Sequence, residues 1–182
     1  MSLAQLLIES EHLKMVINAP KYEFAQDIYK EFSREITKYM NWEPFESLED
    51  VLISIKKRYK KIIDGKDIAL RIINKKTGEF IGIGTITEIN TSTPELGIWI
   101  KKSAHGHHYG KESVSALKDW AEKNLSYKYL KYPVDKNNVA SLKLIKSLGG
   151  IKSRSYEEKI SSGKILNTIE YRLHKKLHKQ AN

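Results

Sequence analysis

Apolar residues recur along this chain with two spacings, one typical of strands and one typical of helices. Alternating or continuous apolar stretches predict seven strands, at 13–17, 68–74, 79–89, 95–100, 129–134, 151–160 and 165–173. Apolar residues three and four positions apart predict four helices, at 22–33, 47–63, 109–125 and 139–148. The segments 75–78 (KKTG) and 161–163 (SSG) read as hairpin turns. This order predicts antiparallel hairpins on either side of a parallel strand–helix–strand centre.

Composition indicates one ordinary domain. A chain of 182 residues with 40% hydrophobic content can bury one good core. No run approaches the roughly 18 apolar residues that span a membrane, and the N-terminus lacks a signal-peptide pattern. With no cysteine, disulfides and thiolate chemistry are excluded. We therefore expect no membrane partner and a cytoplasmic location.

The formal net charge of +10 allows two explanations. A basic surface attracts polyanions such as RNA, or it steers an acidic cofactor inward. The basic cluster Lys56, Lys57, Arg58, Lys60 and Lys61 lies opposite an apolar stripe on a predicted helix, as an ordinary solvated face does. No RNA-recognition motif with interleaved aromatics is present, so a nucleic-acid partner is not expected.

The segment ELGIWIKKSAHGHHYGKE, residues 95–112, contains the strongest sign of a ligand site. A strand runs into a turn bracketed by Gly106 and Gly110, and a long helix follows. The first N–H groups of a helix have no intrahelical partners and lie at the positive end of its dipole, which favours anions. The segment lacks both the Walker loop and the G-x-G-x-x-G fingerprint. It therefore predicts a pyrophosphate-bearing cofactor of another kind.

This segment resembles motif A of the GCN5-related N-acetyltransferases (GNATs), and in particular the RimJ/RimL-type branch that acetylates ribosomal-protein N-termini. The matching positions are Glu95, Gly97, Trp99, Gly106, Tyr109, Gly110 and Glu112. Two positions differ, since His105 stands where Gln or Arg is usual and His108 replaces the central glycine. Because His108 has a Cβ, we expect a slightly reshaped turn there.

A second segment, DKNNVASLKLIKSLGG at 135–150, strengthens the resemblance. Asn138, Ser141 and Gly149 match the family's N-x-x-S helix and its terminating glycine, whereas Gly150 replaces the usual Phe. The resemblance implies an α/β (α+β) acyl-CoA N-acyltransferase fold in a single domain, 1–174, followed by a basic tail, 175–182. Its mixed, mostly antiparallel sheet would contain a splayed central pair of parallel strands.

The resemblance also implies acetyl-CoA as co-substrate, with its pantetheine arm between strands 95–100 and 129–134. Ile98, Trp99 and Ile100 would then line the arm with their backbone, and Asn138 and Ser141 would contact it. The expected pyrophosphate contacts are His105, Gly106, His107, His108, Tyr109, Gly110 and Lys111. Three histidines on one tight turn rarely converge on zinc, so no metal is expected.

Acetyl transfer to an amine requires a group that takes the amine proton and a group that assists the departing sulfur. Many relatives use a Tyr on the last helix for the sulfur, but this chain has Ile145 there, so the resemblance implies Ser141 as the substitute. Packing beside the arm or capping of the helix is the alternative for Ser141. Glu95 is the candidate base, against an ordinary solvated carboxylate, and Glu88 and Glu158 are weaker candidates.

Trp42 and Phe45 fall where the resembled enzymes build one wall of the acceptor pocket, although core packing explains them equally well. The acceptor itself is a protein N-terminus or a small amine such as a polyamine, and a homodimer is left open. A basic RNA- or ribosome-associated binding module with this fold is the alternative function. A different acyl-CoA binder or transferase is the third.

Overall fold

The structure, a computed structural model, describes residues 3–175 and contains one sheet with helices on both faces. Its strands are β1 (Leu7–Glu9), β2 (Leu13–Ile17), β3 (Ile68–Asn74), β4 (Phe80–Thr87), β5 (Glu95–Ile100), β6 (Leu130–Asp135), β7 (Ile151–Lys159) and β8 (Ile165–Leu173). Its helices are α1 (Tyr22–Glu31), α2 (Arg34–Thr37), α3 (Leu48–Ile63), α4 (Tyr109–Asn124) and α5 (Val139–Ser147). Single turns of 3-10 helix occupy Leu3–Gln5 and Lys102–Ala104.

The strands of the described chain form one sheet in the order β1-β2-β3-β4-β5-β6-β8-β7. All neighbours are antiparallel except β5 and β6, which are parallel and connected through α4. A parallel pair needs such a crossover, whereas the hairpins need only short turns. The predicted fold class, a mostly antiparallel sheet with one central parallel pair, is confirmed.

The parallel pair separates almost as soon as it forms. Glu95 and Lys131 are its single pair in register, and the Lys131 N–H donates to the Pro94 carbonyl at 2.8 Å. On its other side β5 stays paired with β4 along its whole length, from Glu95 to Ile100. A wedge-shaped gap therefore opens in the centre of the sheet, with unpaired edges on β5 and β6.

Close packing of β4 on β5 depends on a glycine. A Cβ placed on Gly82 would lie 2.1 Å from the carbonyl oxygen of Trp99, which no side chain can tolerate. Glycine at this position lets the β5 backbone approach β4 closely where β5 has already parted from β6. β5 therefore packs tightly on β4 along one edge and borders the gap along the other.

Some element boundaries differ from those that the sequence predicts. The helix predicted at 22–33 ends at Glu31, and Ser33 instead caps the short α2 by accepting the Ile36 N–H. The strand predicted at 79–89 ends at Thr87 because Glu88 adopts a left-handed φ of 57°. Strand β1 has only three residues, which is too short for a periodic pattern. Of the predicted basic tail, residues 176–182 lie outside the described chain.

Buried side chains form two clusters, one on each face of the sheet. The larger packs α4 and α5 against the strands, and the smaller packs α1 and α3 against β4. The smaller cluster is rich in aromatic and branched residues: Ala25, Ile28, Phe32, Val51, Ile55, Phe80 and Ile83. Among the described residues, no helix combines the length and the apolar character that crossing a membrane requires.

Candidate active site

The turn between β5 and α4 presents a run of N–H groups that the protein leaves unbonded. The His105 N–H still donates to Lys102, and helical bonding begins only where the Glu112 N–H donates to the His108 carbonyl at 3.1 Å. Between them, no N–H group of 106–111 meets an acceptor in the described part of the chain. These donors lie at the positive end of a 16-residue helix, which is a favourable place for a pyrophosphate.

His108 occupies this turn in a conformation that glycine usually adopts. Its φ is 60° and its ψ is 7°, which is left-handed backbone. The side chain of His108, with its Cβ, is therefore accommodated in left-handed backbone. Histidine is one of the few residues with a Cβ that is enriched in this region.

The imidazoles of this turn contact the protein rather than converging on one point. His105 Nε2 donates to the Ile100 carbonyl at 2.8 Å, and His107 stacks on Tyr109 with ring centroids 5.5 Å apart. The Tyr109 hydroxyl in turn accepts a hydrogen bond from Asn74. Within the described residues no group of three or more potential ligands is placed to hold a metal ion. The side chains of His105 and His107 are thus engaged within the protein, and the phosphate contacts stay a prediction.

The backbone groups of successive β5 residues point to opposite edges of the strand, one paired with β4 and one on the gap. The Lys101 N–H donates to Ile81 on β4, so the backbone groups of Ile98 and Ile100 face the opposite edge, the gap. Trp99, which lies opposite Ile83, directs its backbone toward β4. The gap edge is therefore formed by Ile98 and Ile100, and Trp99 belongs to the acceptor side through its ring.

The first turn of α5 lies close to β6 and holds two of the predicted residues. Asn138 Oδ1 accepts the Ser141 N–H at 3.1 Å, so this side chain caps the helix and has only its amide nitrogen left for a cofactor. Ser141 Oγ lies 2.9 Å from the hydroxyl oxygen of Tyr132. The sequence does not predict Tyr132 as a site residue, because this contact depends on how α5 crosses β6 and no local pattern encodes that crossing.

A cleft of ≈ 380 Å³ opens on the α1/α3 face of the sheet. The lining contains both aromatic and polar residues, among them Phe32, Trp42, Phe45, Trp99, Asn18, Ser54, Arg58, Thr85, Thr87 and Glu95. Trp42 and Phe45 are adjacent, with ring centroids 6.4 Å apart, and Trp42 is 41% exposed. The structure therefore places both predicted wall residues beside Glu95 and Trp99 in one cleft.

Glu95 lies where this cleft meets the splayed strands. Burial raises the pKa of its carboxyl above the ordinary value, Lys131 at 3.8 Å opposes the rise, and Glu88, Glu170 and Glu158 add to it. Lys131 lies closer to Glu88, at 2.9 Å, so its charge is shared between two carboxylates. A carboxylate with a raised pKa is better suited to accept a proton near neutral pH than a solvated one.

Two polar residues in the cleft were not predicted to be there. Asn18 is only 6% exposed, yet its side-chain oxygen Oδ1 has no hydrogen-bond partner in the described part of the chain. Arg58 was assigned to the solvated face of its helix, but it lines the cleft, with its side chain 29% exposed and 3.7 Å from Asp67. The other members of that basic cluster, Lys56, Lys57, Lys60 and Lys61, are exposed as predicted.

Comparison with known proteins gives a consistent family match. The model of the acetyltransferase (GNAT) domain matches residues 14–151. An uncharacterized N-acetyltransferase p20 of Bacillus licheniformis is 27% identical over 147 residues, which are 78% of this chain and 82% of that protein. An uncharacterized protein of Methanocaldococcus jannaschii is 37% identical over 79 residues, 43% of this chain, and the match spans only 16% of its length.

The fold also matches that of a solved structure with a bound ligand. RimL, a ribosomal L7/L12 alpha-N-protein acetyltransferase in complex with coenzyme A, superposes with a TM-score of 0.80. The match covers 93% of this chain and 98% of that one at 14% identity, so it shows the shared fold alone. In this chain, the N–H groups of 106–111 and the edge of β5 beyond Glu95 have no protein partner within the described residues.

Proposed function

The chain belongs to the acetyltransferase (GNAT) domain family, and on this basis we propose that it transfers an acetyl group from acetyl-CoA to a primary amine. One observation carries the proposal: β5 lines the cleft, parts from β6 after Glu95, and leads at its C-terminal end into the turn with unbonded N–H groups. Glu95 and Ile98 belong to β5 and line the cleft. The edge of β5 that is not paired with β4 borders the gap.

Each part of the site has a role in holding the co-substrate, which supplies an activated thioester when bound. The N–H groups of 106–111 bind the pyrophosphate, and the backbone of Ile98 and Ile100 bonds the amides of the arm as an additional strand would. Lys111 adds positive charge beside the phosphates. Asn138, which caps α5, retains an amide N–H₂ group for the arm.

Proton movement begins at Glu95. Its carboxylate accepts the proton that the amine loses as nitrogen attacks the thioester carbonyl carbon, directly or through a water. The C–S bond then breaks and its electron pair moves to sulfur, where the Ser141 hydroxyl donates a hydrogen bond. The proton held by Glu95 balances the negative charge on sulfur. Lys131, near both Glu95 and Glu88, keeps this carboxylate available in the ionised form.

The polar residues that line the cleft favour a peptide N-terminus over a polyamine. The carboxamide of Asn18 offers a donor and an acceptor, which complements the C=O and N–H of a peptide group. A polyamine has donors alone, and its second cationic centre would be repelled by Arg58. We therefore propose that the acceptor is the α-amine of a peptide and that Asn18 bonds its first peptide group.

Thioester consumption tests the proposal on two short peptides that are identical except for N-terminal blocking, with spermidine as a third acceptor. We expect turnover only of the unblocked peptide. Asn18→Ala should raise the peptide KM roughly tenfold, the value of one or two lost hydrogen bonds, without changing coenzyme A affinity.

Ser54 also lines the cleft, so Ser54→Ala is the control for the loss of a small polar group other than Asn18. Faster use of spermidine than of the peptide would assign the enzyme to small amines. Absence of both turnover and coenzyme A binding would contradict the acetyltransferase proposal itself.

A further inference from the structure

The side chain of Tyr132 is buried and contacts Ser141 through its hydroxyl group. Alternation along β6 directs Tyr132 to the same buried face as Leu130 and Val134, and Tyr132 is 3% exposed. Its hydroxyl oxygen is 2.9 Å from Ser141 Oγ, and no other partner for it exists within residues 3–175. A buried phenol with a single neighbour must use that neighbour for its hydrogen bond.

The direction of this hydrogen bond follows from the cost of leaving a donor unpaired. Burial raises the pKa of Tyr132, and the bond to Ser141 opposes the rise, so the phenol keeps its proton at neutral pH. If Ser141 donated to Tyr132, the phenolic O–H would have no acceptor, and a buried unpaired donor is strongly disfavoured. The phenol therefore donates and Ser141 Oγ accepts.

If Tyr132 donates to Ser141 Oγ, the hydroxyl hydrogen of Ser141 does not point at Tyr132 and is free for another acceptor. The backbone N–H of Ser141 is already bonded to Asn138, and its hydroxyl hydrogen meets no acceptor in the described region. The turn that holds Ser141 follows the end of β6, and the edge of β6 toward β5 is paired only at Lys131. Ile145, one turn later, is fully buried in the core and has no proton to donate. Of Ser141 and Ile145, only Ser141 can therefore offer a polar side-chain hydrogen.

We propose that Tyr132 is a positioning residue that fixes the Ser141 hydroxyl as a hydrogen-bond donor to the leaving sulfur. This inference rests on the proposed acetyl transfer and deepens it. A phenol on β6 would then support the role that relatives give to a Tyr on the last helix. Accepting a bond from Tyr132 also polarises the Ser141 O–H and strengthens it as a donor.

The test compares wild type, Tyr132→Phe, Ser141→Ala and the double variant as full-length proteins with coenzyme A. Its main readout is the pKa of the bound thiol, followed by the ultraviolet absorbance of the thiolate. A donor aimed at sulfur stabilises the thiolate, so Tyr132→Phe should raise this pKa by about 0.7 unit and lower kcat about fivefold. In the Ser141→Ala background, Tyr132→Phe should change neither value further.

Tyr171→Phe is the matched control, because Tyr171 is the buried cross-strand neighbour of Tyr132 on β8. It should leave the thiol pKa and kcat at wild-type values. If Tyr132→Phe does not fold, a fluorinated tyrosine at 132, a stronger donor of the same shape, should lower the thiol pKa below the wild-type value.

An unchanged thiol pKa in Tyr132→Phe or in the fluorinated protein would overturn the inference while leaving the acetyltransferase proposal intact. Equal effects of Tyr132→Phe with and without Ser141 would do the same, since they would indicate a packing role. Failure of coenzyme A to bind the wild type would instead contradict the proposed function, and the inference with it.

Discussion

Individual residues at the β5–β6 junction combine ordinary chemistry with unusual surroundings. Glu95 is a carboxylate placed among other carboxylates, and Ser141 is a hydroxyl bonded to a buried phenol. Neither side chain is reactive by itself. Their environments, namely burial, a shared lysine and a hydrogen bond to a buried phenol, support the roles that we propose: proton acceptance by Glu95 and assistance to the leaving sulfur by Ser141.

Removing the Ser141 hydroxyl tests its contribution to the chemical step. Ser141→Ala should lower kcat roughly 10- to 1000-fold, within the range that general acid assistance supplies, and coenzyme A affinity should change little. The measurement is kcat at saturating acceptor, with chemistry shown to be rate-limiting. Ser147→Ala on the exposed side of the same helix is the control. A kcat for Ser141→Ala within about twofold of wild type would refute the role.

The raised pKa of Glu95 makes stability depend on pH in a defined direction. Its protonated form favours the fold, so that contribution is complete below the ordinary value of 4.5 and is lost as pH rises through the raised pKa. Glu95→Gln cannot ionise. It should therefore raise Tm relative to wild type at about pH 7.5 and leave Tm nearly equal at about pH 4.

Glu95→Gln should also abolish the acid limb of the pH–rate profile, together with most of the activity. Glu157→Gln, an exposed change on β7, controls for the loss of one negative charge. A Tm difference that is equal at both pH values, or larger at the acidic one, would show that Glu95 is an ordinary carboxylate.

At the scale of secondary-structure elements, two discontinuities create the site. The sheet opens because β5 and β6 share one register pair, and the turn that leads from β5 into α4 has N–H groups without acceptors in the described residues. Gly110 permits this arrangement, since a Cβ there would lie 3.3 Å from the Leu144 side chain of α5. A bulky residue at 110 would therefore disturb helix packing as well as the phosphate site.

A cleaner test of the turn removes one N–H group without filling space between helices. Proline is tolerated in the first turn of a helix, where its missing N–H is not used by the helix. Lys111→Pro should weaken coenzyme A binding roughly 10-fold or more and shrink the rise in Tm that coenzyme A causes, because a charge-assisted hydrogen bond is lost. Lys111→Ala isolates the side-chain charge. Equal losses in the two variants would assign the contact to the ammonium group.

At the scale of the whole molecule, the charge of +10 is spread over solvated faces. Four lysines of α3 are exposed, and Lys61 lies 3.8 Å from Asp67, so part of this charge is locally balanced. The one arginine of the group lines the acceptor cleft. Such a distribution serves solubility and steering of an anionic co-substrate, and long-range steering weakens as salt increases.

RNA binding should accordingly be weak and non-selective. We expect Kd values above about 1 µM at physiological salt, no sequence preference, and a steep loss of affinity as salt increases, measured by fluorescence anisotropy. Replacing Lys56, Lys57 and Lys60 by Gln should flatten the salt dependence and leave coenzyme A affinity unchanged. Nanomolar, sequence-selective binding would make the RNA-associated module the leading function.

Much of the fold could be predicted from the sequence because its signals are local. The nearly continuous apolar run of β3, the alternation of β5 and the helical period of α4 predicted their boundaries to within a residue, and the two motif segments indicated the family. These features depend on residues a few positions apart. The same holds for the helix N-terminus after β5, where a glycine-bracketed turn is legible in the chain itself.

The contacts that give the site its chemistry were decided only in the tertiary structure. The splay of β5 and β6, the bond between Tyr132 and Ser141, and the entry of Asn18 into the acceptor cleft join residues from separate elements. Arg58 has the spacing of a solvated face, yet the packing of α3 over the sheet brings it to the cleft. Periodicity determines which face of an element is apolar, but the crossing of elements determines what each side chain meets, because packing and desolvation act across the whole core.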